Sequence, residues 1–582
     1  MAQWQKAIAD GETYLWSLYK EGIDYQNKLG LRRIIPQNVD FYEGRQWPAA
    51  TEATKNLPRP VINIVKMICR SKKSSILATP VKILYKAFTP NADLEKLNSF
   101  CQSLQKEFNQ EGLDKLAIDD GIKKGSYFYH YYWDKNAISP SGYIEGDVRC
   151  EIIDPLNIFF SNPCELDEQK QRWILIASSI DPSYIYEICD EGLEGTINPY
   201  EEEQKNGEKP KAITLLTRYY RINGEVFCER ATKFSTVNKP FRLSPRKSSI
   251  KSLYDGVNNE SNEPSFQENF AQDSENSLHQ ISKRLNYLES LGKKKETVAS
   301  LYPIVCGYYE RREGSIYGIS EVEGIIPNQK AINFNIAMSL LNAQQCAWGK
   351  YIALPNALKG QKISNSPGQV LIDYSGTGNG IKRMSEEALS QVPMSITDTL
   401  TELTRTATGS SEILSGDALS SNMSGVAIAQ LQAQAEVPIE ELRSTFWEVK
   451  KKQGLVLAQF IRLYYYDKEF VRTKKDELGN EYEICDRFSS KEYENVLFDV
   501  VVEPTRGTKA SIASDINMLD TCLKNGSISL ETYVRAYPEG AISNKSSILK
   551  QIEAEKQSEI SKLRKELEMS KNSKTVDPVS II

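Results

Sequence analysis

An α+β fold, in which helices frame separate runs of strands, is predicted from three observations. Residues 61–77, 320–347, 393–407 and 425–467 carry apolar side chains at spacings of three and four, which places them on one helical face. Between about 125 and 230 the pattern shifts toward alternation and the composition toward aromatic and β-branched residues, which suits pleated strands. The chain has 582 residues, and a single core stops growing near roughly 250 to 300, so several structural regions are expected.

Up to about Leu116 the chain reads as helices interrupted by turns, beginning with an amphipathic segment containing Trp4, Tyr14, Leu15 and Tyr19. In 61–77, Ile64, Val65, Ile68, Cys69, Ile76 and Leu77 form the apolar face. Arg70, Lys72 and Lys73 then read as a solvated basic side, in preference to a nucleic-acid patch. Strands are expected at 126–133 and 143–153, and at 213–228 a hairpin turning at Asn223-Gly224, a dipeptide that tolerates the left-handed backbone of a tight turn. Residues 231–299 are rich in Ser, Asn, Glu and Lys and poor in large apolar side chains, so they cannot offset the entropy of ordering. They read as a flexible insertion with a short helix near 280–291.

Ser320 begins a capping box with Glu323, which predicts a helix starting there and running to 347, kinked at Pro327 because proline lacks an N–H. No charge occurs between Lys330 and Lys350; the polar face carries Asn328, Gln329, Asn333, Asn335, Asn342, Gln344 and Gln345 instead. Short strands follow at 350–354, 369–374 and 381–384. Within 348–385, Lys350, Lys359, Lys362, Lys382 and Arg383 face one acid, Asp373, a local excess of four positive charges. Pro393 suits the first turn of a helix continued by Ile396, Leu400 and Leu403. Residues 408–424 are small and polar, as in a loop. Gly425 opens a helix to about 467, about 65 Å long at ~1.5 Å per residue if straight, but with Pro438 predicting a kink. A strand is expected at 496–502, then helices. Ile552, Ile560, Leu563 and Leu567 make a stripe that fits either a coiled-coil seam or a surface helix on its own subunit.

The chemistry the sequence leaves out narrows its function. Imidazole is the commonest general base and metal ligand, and the chain has two histidines, His130 and His279. The nearest cysteines are Cys150 and Cys164, so no C-x-x-C pair exists, and scattered thiols fit a reducing compartment. No P-loop occurs, and Gly376, Gly378 and Gly380 lie between short strands, not at a strand-to-helix turn. Asp119-Asp120 reads as a solvated face, and His130, among Tyr129, Tyr131 and Tyr132, as a histidine satisfied in the core or at the surface. Met1-Ala2-Gln3-Trp4-Gln5-Lys6 is unlike a signal peptide and no 18-residue apolar run occurs, so neither secretion nor a membrane span is expected. With a net charge of −5 the chain has no bulk attraction for a phosphate backbone. Neither an enzyme nor a cofactor is expected.

The ordered series Tyr317-Gly318-Ile319-Ser320-Glu321, a helix, a basic β unit, a return helix, a Ser/Gly-rich loop, and Asn422-Met423-Ser424-Gly425-Val426-Ala427 opening a long proline-containing helix resembles the portal proteins of tailed bacteriophages. Phe41-Tyr42-Glu43-Gly44-Arg45-Gln46-Trp47 and Asp154-Pro155-Leu156-Asn157-Ile158-Phe159 are similar to segments of the same family. The resemblance implies a portal fold with a mainly helical stem, wing and crown, a β-rich wing module at 125–230 and a small β clip. Its parts would be a wing at 1–319, including the 231–299 insertion, stem helices at 320–347 and 393–407, and a clip at 348–392. A tunnel loop at 408–424, a second wing segment at 425–506 and a crown with C-terminal tail at 507–582 would complete it.

The implied function is a non-enzymatic ring, of twelve subunits in the family, at one capsid vertex of the virion. Double-stranded DNA would pass through it, and its partners would be the major capsid protein, the terminase and the tail adaptor. Synthesis would be in the host cytoplasm, with no membrane partner. Ser410, Ser411, Glu412, Asp417, Ser420, Ser421 and Asn422 would line the channel, and Lys350, Lys359, Lys362, Lys382 and Arg383 would meet the terminase or adaptor. Asn333, Asn335, Asn342, Gln344 and Gln345 would form the stem contact between subunits. Residues 386–424 hold six acids against Arg405, a local −5 that repels a duplex from a channel wall. The competing readings are a scaffold or interaction protein of a virion or other assembly, and a nucleic-acid-processing enzyme for which no catalytic ligands are found.

Overall fold

The computed structural model describes residues 12–88, 94–138, 144–190, 212–244, 298–347, 351–364, 370–376, 379–384, 392–409, 425–475, 481–493, 496, 498–504, 509–537 and 545–572. Helix α1 (Tyr14–Lys28) turns through Leu29 and Gly30 into α2 (Leu31–Glu43). Asn63 caps α3 (Ile64–Leu77) by accepting from the Lys66 N–H at 2.9 Å, and Asn109 caps α5 (Gln110–Lys124) through the Gly112 N–H at 3.2 Å, after α4 (Glu95–Glu107).

Every strand pairing among the described residues is antiparallel. Strand β1 (Val81–Ala87) pairs with β14 (Phe498–Pro504), joining the two ends of the main body. A three-stranded sheet has the order β3 (Asp147–Ile153), β2 (Ser126–Asp134), β9 (Ile304–Tyr308). A five-stranded sheet runs β4 (Ile158–Phe160), β5 (Trp173–Ile180), β6 (Ile213–Ile222), β7 (Glu225–Ala231), β8 (Thr236–Arg242), with the short helix α6 (Tyr184–Ile188) beside β8. The expected turn joins β6 to β7: Asn223 and Gly224 take φ of +51° and +83°, the pair of left-handed residues that a two-residue hairpin of this kind requires.

Helices α7 (Glu321–Ala347) and α8 (Val392–Ala407) pack on each other with the strand pair β10 (Tyr351–Ala353) and β11 (Ile381–Arg383) between them in sequence. Then come α9 (Gly425–Tyr464), the hairpin β12 (Lys468–Lys475) and β13 (Glu481–Phe488), α10 (Lys509–Lys524), α11 (Leu530–Ala536) and α12 (Lys545–Asn572).

The largest core gathers Val65 and Ile68 of α3, Phe100 of α4, Ile118 of α5, Tyr129 of β2, Ile325 and Ile332 of α7, and Phe446, Leu457 and Phe460 of α9. Phe100 stacks on Phe488 at 4.1 Å between ring centres. Gly454 lets α9 lie close to the β1–β14 pair: an added Cβ would sit 2.5 Å from Val500 Cγ1 and 2.7 Å from Ile83 Cγ2. A second core lies against the sheets and holds Leu31, Phe128, Ile174, Tyr219, Tyr302 and Tyr317.

Several expectations change. The stretch 231–299 does not leave the fold at once, since β8 extends the five-stranded sheet to Arg242; the helix expected near 280–291 lies outside the described residues. Lys72, read as solvated, is buried, and Asp119 and Asp120 are paired: Asp119 with Lys73 at 3.1 Å and with Lys123, Asp120 with Lys124 at 3.0 Å. Residues 370–374 form no strand, the strand expected at 496–502 is Phe498–Pro504, and the helix expected to 467 ends at Tyr464. Val392, not Pro393, is the first residue of α8. Strands β1, β12 and β13 were not anticipated. His130 is satisfied as read, within 2.8 Å of both Glu151 Oε1 and the Tyr219 hydroxyl. The apolar stripe of α12 is uncovered: Ile560, Leu563 and Leu567 are exposed, while the helix joins α11 near its start through Glu531–Lys556 and Arg535–Glu553.

Candidate functional site

The region singled out by sequence order is the α7–α8 hairpin with the β unit at its far end. Ser320 precedes α7 and accepts from the Val322 N–H at 3.0 Å while donating to the Ile122 carbonyl at 2.8 Å. Neither half of the expected capping box forms: the Glu323 N–H donates to the Ser320 main-chain carbonyl at 3.2 Å, not to its hydroxyl, and the Glu323 carboxylate turns to Arg312 at 3.1 Å. Tyr309 donates to Glu321 at 2.7 Å. Burial pushes the Glu321 carboxyl above the usual range, opposed by Lys72 and by the Tyr309 hydroxyl.

Two turns further along α7, Gln329 is fully buried and uses its whole amide. Its Oε1 accepts from the Ile64 and Val65 N–H groups at 3.1 and 3.4 Å, and its Nε2 donates to the Ile62 carbonyl at 2.7 Å and to Asn333 Oδ1 at 3.0 Å. Asn333 passes the chain on to Gln46 Oε1 at 2.6 Å, and Gln46 donates to the Phe41 carbonyl at 2.8 Å. An isolated helix leaves its first N–H groups without partners. Here Asn63 and, from another helix, Gln329 together accept from the first three N–H groups of α3.

Helix α8 leans on α7 through Asn328 Nδ2, which donates to Thr404 Oγ1 at 2.9 Å. Thr397, Thr401, Thr404 and Thr408 each donate to the carbonyl four residues back, at 2.6 to 2.9 Å, so that these hydroxyls spend their protons within their own segment of chain.

At the far end, β10 and β11 pair Ile352 with Lys382, and Leu354 N–H donates to the Gly380 carbonyl at 2.9 Å. Asp373, the one acid of this unit, accepts from the Ser375 and Gly380 N–H groups at 2.9 and 2.8 Å, and the Ser375 hydroxyl, followed by these N–H groups, holds its carboxyl below the usual range. It organises its own loop. Lys359 lies 5.0 Å from the Tyr374 ring centre. Around Lys359, Lys362 and Lys382, all exposed, stand Ile352, Leu354, Val370 and Ile372, also exposed. The unit is therefore basic and apolar at once, and only its charge was anticipated. Lys350 lies outside the described residues, and Arg383 is placed by its backbone opposite Tyr351.

The residues expected at a contact between stem helices separate. Asn333 is buried in the chain, held by Gln329 and Gln46. Asn335 and Asn342 are half-buried, Gln344 is exposed, and the Gln345 side chain lies outside what is described. Among what the hairpin exposes are apolar side chains, Phe334, Met338 and Leu340 on α7 and Met394, Ile396 and Leu403 on α8, beside the charged Asp398 and Glu402. Thr408 and Gly409 begin the loop after α8, with Gly409 at φ +64° beside Pro438 of α9. Ser410, Ser411, Glu412, Asp417, Ser420, Ser421 and Asn422 lie outside the described residues.

Helix α9 is tied to the body by buried charge. Lys450 pairs with Asp114, which also accepts from Tyr129 at 2.8 Å and Gln110 at 2.7 Å, and Lys452 reaches buried Glu168 at 2.9 Å. Among the described residues no group of three or more His, Cys, Asp or Glu side chains is placed to hold a metal ion, and no helix is long and apolar enough to cross a membrane.

A family model described as phage P22-like portal protein matches residues 18–485. No curated protein matches the chain.

Proposed function

The chain belongs to the phage P22-like portal protein family, and from that premise we propose that it forms a closed ring at one capsid vertex, conducting double-stranded DNA during packaging and ejection. The family as a whole is structural and non-enzymatic, and its members are homo-oligomeric rings associated with capsid and DNA. In this reading α7 and α8 are the stem, the β10–β11 unit is the clip, 408–424 the tunnel loop, and the remainder of the body the wing, with α10 to α12 as crown and tail.

The observation that carries the proposal is the apolar surface on both helices of the hairpin. A closed ring needs a heterologous interface, in which one face of a subunit meets a different face of the next. Phe334 and Met338, one helical turn apart on α7, and Ile396 and Leu403, two turns apart on α8, supply two such faces, each uncovered in the single chain. In this reading the asparagine and glutamine side chains keep α7 uncharged beyond Lys330, and the apolar side chains supply the contact area. Twelve subunits is the family's number and is proposed here on that ground.

The charge pattern fits the same assembly. The clip, with Lys350, Lys359, Lys362, Lys382 and Arg383, would meet acidic surfaces of the terminase and later the tail adaptor, and its exposed Ile352, Val370 and Ile372 would bury area there. The loop, with Glu412 and Asp417 and no basic residue, would repel the duplex from the wall.

Phe334→Lys combined with Leu403→Lys tests the ring. Both positions are exposed, so the single chain should keep its melting temperature, with surface changes costing within about 0.5 kcal/mol. Native mass spectrometry should show the ring lost. A ring of undiminished abundance would overturn the stem contact.

A further inference from the structure

We propose that residues 321–337 of α7 move as one body with α2, α3 and α5, with Ile336 packed against the main core and Ala337 buried, and that the lever of the hairpin begins beyond Ala337. Pro327 then lies inside the rigid section and is not the hinge. The inference stands on contacts within one chain and is independent of whether the ring forms.

Proline removes one helical N–H, so the carbonyl four residues before it, that of Glu323, loses its usual partner. That makes Pro327 the natural place to look for a bend. A bend needs the helix to be free on at least one side, and here neither side is. Before the proline, Ser320 bonds to the Ile122 carbonyl, Glu321 to Tyr309 and Glu323 to Arg312. After it, Gln329 spends all four hydrogen-bonding positions of its amide, three of them on Ile62, Ile64 and Val65 at the start of α3, and Asn333 bonds to Gln46.

The apolar side chains agree with the polar ones. Val322, Ile325, Ile326 and Ile332 are buried in the main core on both sides of Pro327. Rotating 328–333 about the proline would pull Ile332 from that core and leave buried amide and N–H groups unpaired, each a costly loss. Beyond Ala337 the situation reverses. From Met338 to Gln344 every side chain is half-buried or exposed. The base of α8 belongs with the rigid part, because Thr404 is buried and bonded to Asn328, while Met394 and Ile396, nearer the β unit, are exposed.

Hydrogen exchange of the full-length protein, read by mass spectrometry on overlapping peptides of α7, tests this. Amides in 328–333 should exchange at least about tenfold more slowly than those in 338–347, at a rate close to that of 321–326, as expected when one segment opens only with the body and the other opens locally. A break in protection at Pro327, with 328–333 as fast as 338–347, would overturn the proposal. Pro327→Ala should leave the position of the break unchanged; a slowing of 328–347 by that substitution would identify the proline as the hinge. Gln329→Leu should speed exchange in both 62–66 and 328–333, and no change in either would remove Gln329 as the clamp. The wild-type profile decides even if Gln329→Leu does not fold.

Discussion

Glu107 shows how single residues set the pH response of the body. Its carboxyl is raised to about 7, chiefly by burial and then by its hydrogen bond to Asp147, against the pull of Lys468 at 3.3 Å. A carboxyl whose folded value is raised contributes most below its unfolded value, near 4.5, and that contribution is lost as pH rises through about 7. Asp147, lowered despite its burial by Glu107, Lys468 and Tyr465, contributes in the opposite sense, above its unfolded value of 3.8. Glu107→Gln keeps the hydrogen bond and removes the charge. The variant's melting temperature should match the wild type near pH 4 and exceed it increasingly from pH 5 to 8; a difference independent of pH would refute the assignment. Gly454→Ala is expected to destabilise by about 1–3 kcal/mol, because its methyl would overlap Val500 and Ile83, and chemical denaturation measures it.

At this scale the sequence was a partial guide. His130 could be read as satisfied because strand aromatics surround it, and it bonds to Tyr219 and Glu151. Lys72 could not, because charge alone does not tell which turn of a helix faces the buried Glu321. Gln329 and Asn333 were visible as members of an amide row, but their partners, Gln46 and residues 62–65, are more than 260 positions away and nothing local points to them.

Among elements, those that bury a continuous stripe were the easiest to read. Helices α3, α7, α8 and α9 appear near their expected bounds, and the Asn223-Gly224 hairpin where its turn chemistry places it. Strand β8 was missed because an edge strand needs little apolar surface: of Thr236–Arg242 only Val237 and Asn238 are buried, and Pro240 suits an edge without a further partner. The strand expected at 369–374 failed in the other direction. Val370, Ile372 and Tyr374 alternate as in a half-buried strand, yet all three are exposed, so the alternation does not mark the face of a sheet. The loop after α8 yields a prediction at the scale of an element. Glu412→Lys with Asp417→Lys should leave ring assembly intact and slow DNA packaging in an assay with terminase and ATP, by adding phosphate contacts that translocation must break. An unchanged packaging rate would place these residues away from DNA.

The whole molecule is closed by long-range pairings: β1 with β14, α9 across β9 and α3, and α7 into the base of the body. Family membership rests on the match over residues 18–485, which spans the body, the hairpin and α9 and stops within β13. The ordering of a helix, a small β unit, a return helix and a long helix was legible in sequence because each part has its own composition. The surface that would join subunits was not, since exposure of Phe334 or Leu403 depends on what the folded chain leaves uncovered.

The central claim is assembly into a closed ring with an axial channel, and the most direct measurement is electron-microscope imaging of the purified full-length protein in parallel with its solution mass across a range of concentrations. The account predicts ring-shaped particles with an open centre and a mass that is a fixed multiple of one chain. A mass equal to one chain at every concentration, with no ring in the images, would contradict it.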